Sequence, residues 1–246
     1  MPIRFLLFAV AVPFLCAVGL AQAPSAPTAP APVLPPKTTR VVLSGDSTVN
    51  HTTGWGSAFC DRLPGDVECF NSSRNGRSSK SYRDQGLWAR AIALHPDYIL
   101  IQFGANDTPG KGADRETIPE TTFSALMRDD IREARAAGAI PILVTPLPQR
   151  NYKDGKHVHT LEAYAAAMRT VGTETHTPVL DLNTEANAAL DAMTEEQAHA
   201  FNNNPADSTR PGTDTTHLNA AGATFFGAIV AREFAAAVPA IKVNTH

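Results

Sequence analysis

The sequence has little cysteine, no surplus of positive charge and no long uninterrupted apolar run. Three cysteines are too few for a disulfide-built fold or a four-thiolate zinc site, so ordinary apolar packing must form the core. The 246 residues contain 21 Lys and Arg against 24 Asp and Glu, a net charge of -3. That balance argues against nucleic acid as the main partner. The chain length suits about one domain.

The N-terminal segment has the pattern of an export signal. Arg4 precedes a mostly apolar run over residues 5–20, which Pro13 interrupts and small residues end. The run is shorter than the ~20 residues of a membrane-spanning helix, so we expect no stable membrane anchor after cleavage. We predict a signal peptide at 1–21, a proline-rich linker at 22–39 and one folded domain at 40–246. The protein is therefore expected in the periplasm or the medium, where Cys60 and Cys69 either pair or stay as separate thiols.

From residue 40 onward, short apolar runs alternate with helical patterns. We predict strands at 40–44, 97–103, 140–145 and 178–182, a weak strand at 66–70, and helices at 79–94, 120–137, 160–173 and 220–237. This alternation predicts a parallel sheet covered by helices on both faces, a three-layer α/β/α sandwich. Ligands of such sheets bind at the carboxyl ends of the strands.

Residues with nucleophilic and basic chemistry follow those strands. Ser47 comes just after the first strand, and Asp214 stands three residues before His217 near the C-terminus. A serine hydroxyl needs a base to remove its proton, and an aspartate beside a histidine can fix the tautomer of the imidazole. The backbone N–H groups of Ser47 and Gly76 and the side-chain amide of Asn106 are candidate donors to an oxyanion.

These blocks resemble the SGNH or GDSL-type hydrolases. The matching residues occur in order: Gly45-Asp46-Ser47, Gly76, Gly104-x-Asn106-Asp107 and Asp214-x-x-His217. With Gly54-Trp55-Gly56 and Gly76-Arg77-Ser78, the chain is similar to rhamnogalacturonan acetylesterases, which deacetylate pectin. The resemblance implies a flavodoxin-like sheet and an acyl-enzyme mechanism without metal or cofactor. It also implies Ser47 as nucleophile, His217 as base, Asp214 as orienter, and Ser47, Gly76 and Asn106 as the oxyanion hole.

The substrate is predicted from the side chains around Gly76. Arg74, Arg77, Lys80 and Arg83 recur every three residues, and this cationic stripe would complement an acetylated anionic pectin; the alternative is a solvated helical face. Trp55, in a glycine-rich loop, is the candidate for stacking on a sugar ring, whereas Trp88 fits core packing. His157 and His159 have a spacing that suits a metal, but their polar surroundings favour surface histidines.

Several alternatives stay open. Within the esterases, an acetylxylan esterase, another carbohydrate or lipid esterase, or a thioesterase has the same machinery. A metallophosphoesterase could use oxygen and nitrogen ligands from the same blocks: Asp46, Asn106, Asp107, Asp214 and His217. A catalytically inactive carbohydrate-binding protein is the non-enzymatic alternative.

Overall fold

The computed structural model describes residues 38–203 and 214–245. The predicted signal peptide and nearly all of the predicted linker lie outside the described residues. Cys60 and Cys69 form a disulfide, which resolves the choice that the sequence left open.

The elements alternate between strands and helices along the chain. The strands are β1 Thr39–Gly45, β2 Val67–Asn71, β3 Tyr98–Gln102, β4 Ile140–Val144, β5 Tyr152–Lys153, β6 Lys156–His157 and β7 Val179–Leu180. The α-helices are α1 Gly56–Cys60, α2 Ser79–Asp84, α3 Leu87–Ile92, α4 Ser124–Ala136, α5 Glu162–Thr175, α6 Leu182–Asp191, α7 Glu195–His199 and α8 Ala220–Ala237. A π-helical turn over Pro119–Phe123 leads into α4.

Five strands form a parallel sheet in the order β2-β1-β3-β4-β7, and β5 and β6 form a separate antiparallel hairpin. Val42 of β1 pairs with Phe70 of β2 on one side and with Ile99 of β3 on the other. This is the flavodoxin-like strand order, in which the direction of winding reverses between β1 and β3. The predicted three-layer fold is therefore confirmed, and the crevice for a ligand is expected between the ends of β1 and β3.

Helices cover both faces of the sheet, and the strand residues alternate between them. Val41 and Leu43 belong to the core cluster that includes Phe226 of α8, while Val42 and Ile99 belong to the opposite cluster. This two-residue period, with both faces buried, explains why the strands read as continuous apolar runs. Helix α8 is apolar and long enough to cross a membrane by length and composition alone, but its buried side chains are part of this core.

The structure corrects several predicted boundaries. The single helix predicted at 79–94 is two helices, because Gly86 adopts a left-handed backbone with φ 69° between them. The strand predicted at 178–182 is only two residues long, since Leu182 already begins α6 after Asp181, whose side chain caps that helix. Helices α6 and α7 and the β5–β6 hairpin were not predicted; their short, polar segments give weak periodicity.

Candidate active site

Ser47 lies in a tight turn immediately after β1. The carboxylate of Asp46 accepts hydrogen bonds from the Thr48 backbone N–H at 2.8 Å and from its hydroxyl at 2.7 Å, which closes the turn. A Cβ on Gly54 would stand 2.2 Å from the Thr48 carbonyl oxygen, so the returning chain can pack here only without a side chain. The turn thus holds Ser47 at the carboxyl end of β1 with only 5% of the residue exposed.

His217 faces Ser47 from the loop that precedes α8. Its Nε2 lies 2.8 Å from Ser47 Oγ, and its Nδ1 lies 2.9 Å from Asp214 Oδ2. The other Asp214 oxygen accepts the backbone N–H groups of Thr216 at 3.1 Å and His217 at 3.0 Å. An Nδ1–H donated to Asp214 leaves the Nε2 lone pair pointing at the serine hydroxyl.

These hydrogen bonds also set the charge of Asp214. Partial burial alone would raise its pKa, but the hydrogen bonds from the backbone and side chain of His217 hold the pKa of Asp214 below its ordinary value. Asp214 is therefore ionised at neutral pH and can stabilise a positive charge on His217.

Ser47 and His217 open into a cavity of about 250 Å³. The backbone of Gly76 and the side chain of Asn106 line the same cavity, as the sequence predicted for the oxyanion donors. Gly76 has φ 71°, the left-handed conformation that glycine adopts readily, and Asn106 donates its amide to the Arg77 carbonyl oxygen at 3.3 Å. The arrangement places a nucleophile, a base and polar donors around one small space.

The other carboxylates of the sequence blocks serve the fold. Asp107 is fully buried and accepts hydrogen bonds from the hydroxyls of Ser79 and Thr117 and from the Gly104 backbone N–H at 3.0 Å. Burial raises the pKa of Asp107 to about 6, against the opposing effect of the Ser79 hydrogen bonds. Burial likewise raises the pKa of Asp46. Among the described residues that line the cavity, neither aspartate is present, which removes two ligands from the metallophosphoesterase hypothesis.

The stacking role predicted for Trp55 is wrong. Trp55 is fully buried, packs edge-on against Phe59 and donates its indole N–H to Gln102 at 2.8 Å. Its glycine neighbours suggested an exposed loop, but they are there because that loop packs tightly on the Ser47 turn. Trp88 is buried in the core, as predicted.

The cationic stripe does not form one face. Arg83 turns toward α4 and pairs with Asp130 and with Glu133, the latter at 2.6 Å, while Lys80 pairs with Asp84 at 2.8 Å. Arg74 lines a separate surface hollow, and Arg77 lines a hollow that shares Gly76 with the Ser47 cavity. Among the described residues, the cation that lines the Ser47 cavity is Lys111, which was not predicted although it follows the Asn106-Asp107 block by only a few residues.

Arg150 was not predicted, and its buried side chain holds the His217 loop by hydrogen bonds. Its side chain is fully buried, and its guanidinium donates to the His217 carbonyl oxygen at 2.6 Å and to the Asn202 side chain at 2.6 Å. Its backbone N–H donates to the Thr215 carbonyl oxygen at 3.0 Å. Burial lowers the pKa of Arg150 to about 10, so the group stays charged at neutral pH. Its place beyond the carboxyl end of β4 was the available signal.

Comparison with known proteins agrees with this geometry. Residues 39–225 match the GDSL-like lipase/acylhydrolase family. The chain is 34% identical over 173 residues to the rhamnogalacturonan acetylesterase RhgT of Bacillus subtilis, covering 66% of this chain and 72% of RhgT. It is 30% identical over 169 residues to the probable rhamnogalacturonan acetylesterase YesY of the same organism, covering 65% of this chain and 78% of YesY.

A solved structure extends the likeness to the fold. The crystal structure of YxiM from Bacillus subtilis superposes with a TM-score of 0.69 at 25% identity, over 82% of this chain and 57% of that one. The chain therefore spans little more than half of YxiM. With the family match over most of its length and two relatives at 30% identity or above, the chain belongs to the GDSL-like lipase/acylhydrolase family of carboxylic ester hydrolases.

Proposed function

We propose that the protein is an exported serine acetylesterase that removes O-acetyl groups from the plant cell-wall polysaccharide rhamnogalacturonan. One observation carries the proposal: the Asp214–His217–Ser47 chain of hydrogen bonds, at 2.9 Å and 2.8 Å, ends at the cavity that Gly76 and Asn106 line. The relatives named as rhamnogalacturonan acetylesterases support the choice of substrate.

The proposed reaction has two steps. Ser47 Oγ attacks the acetyl carbonyl carbon while His217 Nε2 takes the hydroxyl proton, and the carbonyl oxygen becomes an anion that accepts hydrogen bonds from Ser47 N–H, Gly76 N–H and Asn106. When the C–O bond to the sugar breaks, His217 returns its proton to the leaving sugar oxygen. His217 then takes a proton from water as the water oxygen attacks the acetyl-serine. When the bond to Ser47 Oγ breaks, His217 returns that proton to Oγ, and acetic acid leaves and ionises to acetate. Asp214 stabilises the imidazolium formed in each step.

The cavity lining favours an acetylated sugar over a lipid. It is small, and its side chains besides Ser47 and His217 are mostly polar: Asn75, Asn106, Lys111, Gln149 and Thr216. Such a lining suits an acetyl group with a hydroxylated ring, whereas a long acyl chain needs apolar walls. Lys111 replaces the stripe as the cation that would attract a uronate carboxylate.

Export is part of the proposal. The disulfide between Cys60 and Cys69 supports it, because disulfides persist in oxidising compartments. The N-terminal pattern at residues 1–21 is the second support.

The test is acetate release from acetylated rhamnogalacturonan, acetylated homogalacturonan, acetylated xylan and a long-chain lipid ester. We expect the highest kcat/KM on rhamnogalacturonan, without inhibition by a chelator. Ser47→Ala should lose at least about 10³-fold in kcat, while the control variant Thr121→Ala, which shortens an exposed side chain outside the cavity, keeps full activity. Undiminished Ser47→Ala activity would refute the mechanism, and preference for xylan would leave the mechanism but refute the substrate.

Chelator inhibition with rescue by a divalent ion, on a phosphate ester, would instead support the metallophosphoesterase. Polysaccharide binding without turnover would support the inactive binding protein.

The role of Lys111 is tested separately. Lys111→Gln should raise KM for the anionic polymer by about 5-fold and leave a small neutral acetyl ester unaffected, since one screened ion pair contributes about 1 kcal/mol. Lys242→Gln, in the exposed C-terminal segment, is the matched control.

A further inference from the structure

Two histidines and an aspartate meet outside the active-site cavity. His157 ends β6, His159 follows two residues later, and Asp191 is the last residue of α6. Asp191 Oδ1 lies 3.4 Å from His157 Nδ1 and 3.0 Å from His159 Nε2, and Asp191 Oδ2 lies 2.9 Å from the same His159 nitrogen. One ligand atom from each residue lies within 4.8 Å of the other two. The cluster is thus compact enough for three side chains to contact one ion.

The expectation that both histidines lie at the surface is wrong for His157. Its side chain is fully buried, while that of His159 is 51% exposed. His157 Nε2 lies 3.0 Å from the Gln149 carbonyl oxygen, to which only an N–H can donate, so in the neutral ring Nδ1 carries a lone pair. That Nδ1 makes no hydrogen bond. A buried polar atom without a partner is costly and rare, and needs an explanation.

A cation supplies the explanation. The His157 Nδ1 lone pair and an Asp191 oxygen face each other at 3.4 Å, and two acceptors at that distance repel unless something positive lies between them. Two ligands of a tetrahedral zinc ion with bonds of about 2.1 Å stand about 3.4 Å apart, the separation seen here. The carbonyl of Gln149 fixes the ring from its other nitrogen, as the outer partner of a metal-binding histidine does.

We propose that His157, His159 and Asp191 form a binding site for one divalent transition-metal ion, of which zinc fits best. Two imidazoles and one carboxylate suit zinc and its neighbours in the first transition row, whereas Ca²⁺ and Mg²⁺ prefer all-oxygen ligands. The exposed side of the cluster leaves the fourth position to water. The site is separate from the esterase reaction, and the inference does not depend on the proposed function.

The position of the site indicates a structural role. The ion would link the β5–β6 hairpin to the end of α6, two elements that otherwise meet through contacts such as the Tyr152 hydroxyl donating to the Leu190 carbonyl oxygen at 2.6 Å. His157 holds the backbone of Gln149, whose side chain lines the active-site cavity and donates to Thr216 Oγ1 at 3.0 Å. Metal binding would therefore stabilise the segment that lies against the loop of His217.

The direct test is titration of untagged, chelator-treated protein with Zn²⁺ by calorimetry, followed by Co²⁺ as a spectroscopic probe. We expect one equivalent of zinc per chain and the intense visible absorption of four-coordinate Co²⁺. At zinc concentrations about 100 times Kd, the Tm should rise by about 5 °C or more. Binding of neither ion at micromolar concentration would overturn the proposal.

Variants locate the site. His159→Ala and Asp191→Asn change exposed side chains, so both should fold. Each should weaken zinc binding at least about 10-fold, which at the same zinc concentration cuts the Tm rise to about half or less. His176→Asn, an exposed histidine outside the cluster, should bind like the original protein. His217→Asn removes the other histidine–aspartate pair and should also retain zinc. Unchanged binding in the first two variants, or loss of binding in His217→Asn alone, would overturn the assignment.

Discussion

Ser47 and His217 are held in different ways. Ser47 follows β1 directly, and its turn is closed by short-range contacts among residues 46–55, so the sheet and the turn together fix it. His217 follows no strand. Its loop is fixed by its own aspartate and by a buried arginine, Arg150, which reaches it from the segment after β4.

The two sides differ in the kind of contact that fixes the position of the Ser47 or His217 side chain. On the serine side, the hydrogen bonds of Asp46 close the turn, and steric packing adds a second restraint, since the chain packs so closely at Gly54 that glycine is required. On the histidine side the restraint is electrostatic, since charged and polar groups hold carbonyl oxygens and backbone N–H groups. The carboxylates follow the same division: burial raises the pKa of Asp46 and Asp107, while hydrogen bonds lower that of Asp214.

The largest effect is expected from Asp214→Asn. The asparagine amide would donate to His217 Nδ1, which places the imidazole proton on Nε2, the wrong nitrogen for accepting the Ser47 proton. We expect kcat to fall by about 10⁴-fold, as in other serine hydrolases, with little change in KM. Asp129→Asn, which affects a surface ion pair with Arg132, is the matched control for steady-state kinetics. A loss below 10-fold for Asp214→Asn would show that the histidine side does not depend on this charge.

The steric character of the serine side is tested by Gly54→Ala. The new Cβ would stand 2.2 Å from the Thr48 carbonyl oxygen and 2.6 Å from the Asn50 backbone nitrogen, so backbone atoms must move. We expect a loss of about 3 kcal/mol in stability, hence a Tm lower by roughly 6–12 °C. Gly65→Ala, where a Cβ meets nothing within 4 Å, should leave the Tm nearly unchanged. Equal melting of the two variants would contradict the steric account.

The electrostatic character of the histidine side is tested by Arg150→Met. Methionine fills much of the buried space but cannot hold the His217 carbonyl oxygen, so the imidazole should shift. A displacement near 1 Å costs about 10²-fold, and we expect kcat to fall by about 10–100-fold with KM nearly constant. The change also leaves the Asn202 side-chain oxygen and the His217 carbonyl oxygen without their donor, so we expect the Tm to fall as well.

Arg128→Met, which breaks only a surface ion pair with Glu174, is the control and should retain full kcat. If Arg150→Met lowered the Tm strongly while a refolded, fully native fraction kept normal kcat, Arg150 would be a purely structural residue.

The difference between local and long-range contacts explains what the sequence could predict. The sheet and the positions of Ser47, Gly76, Asn106, Asp214 and His217 follow from local patterns, because each block lies within a few residues of a strand or helix end. Arg150 and Lys111 come from loops whose approach to the cavity depends on the tertiary packing. The stacking role predicted for Trp55 was wrong for a related reason. Glycines predict a loop, but they do not show whether that loop is exposed or packed.

The smallest effect concerns a carboxyl group that belongs to neither the serine side nor the histidine side of the site. Burial, with the nearby carboxylates of Glu185 and Asp181, raises the pKa of Glu233 on α8 to about 7 from an ordinary value of 4.5. Between these two values the folded state binds more protons than the unfolded state, so stability falls as the pH rises through this window and levels off above it. Asp214, with its lowered pKa, has the opposite sign: its contribution is lost as the pH falls.

Glu233→Gln removes the carboxyl group whose titration causes this pH dependence of stability. The variant should match the original protein near pH 4.5 and gain about 1 kcal/mol by pH 8, a modest gain because the side chain is only partly buried and solvent screens its charge. Thermal melting at both pH values checks this, with a Tm about 2–4 °C higher at pH 8 only. Because Glu233 touches neither Ser47 nor His217, kcat should be unchanged at every pH. An equal Tm gain at both pH values would mean that packing, rather than titration, explains the change.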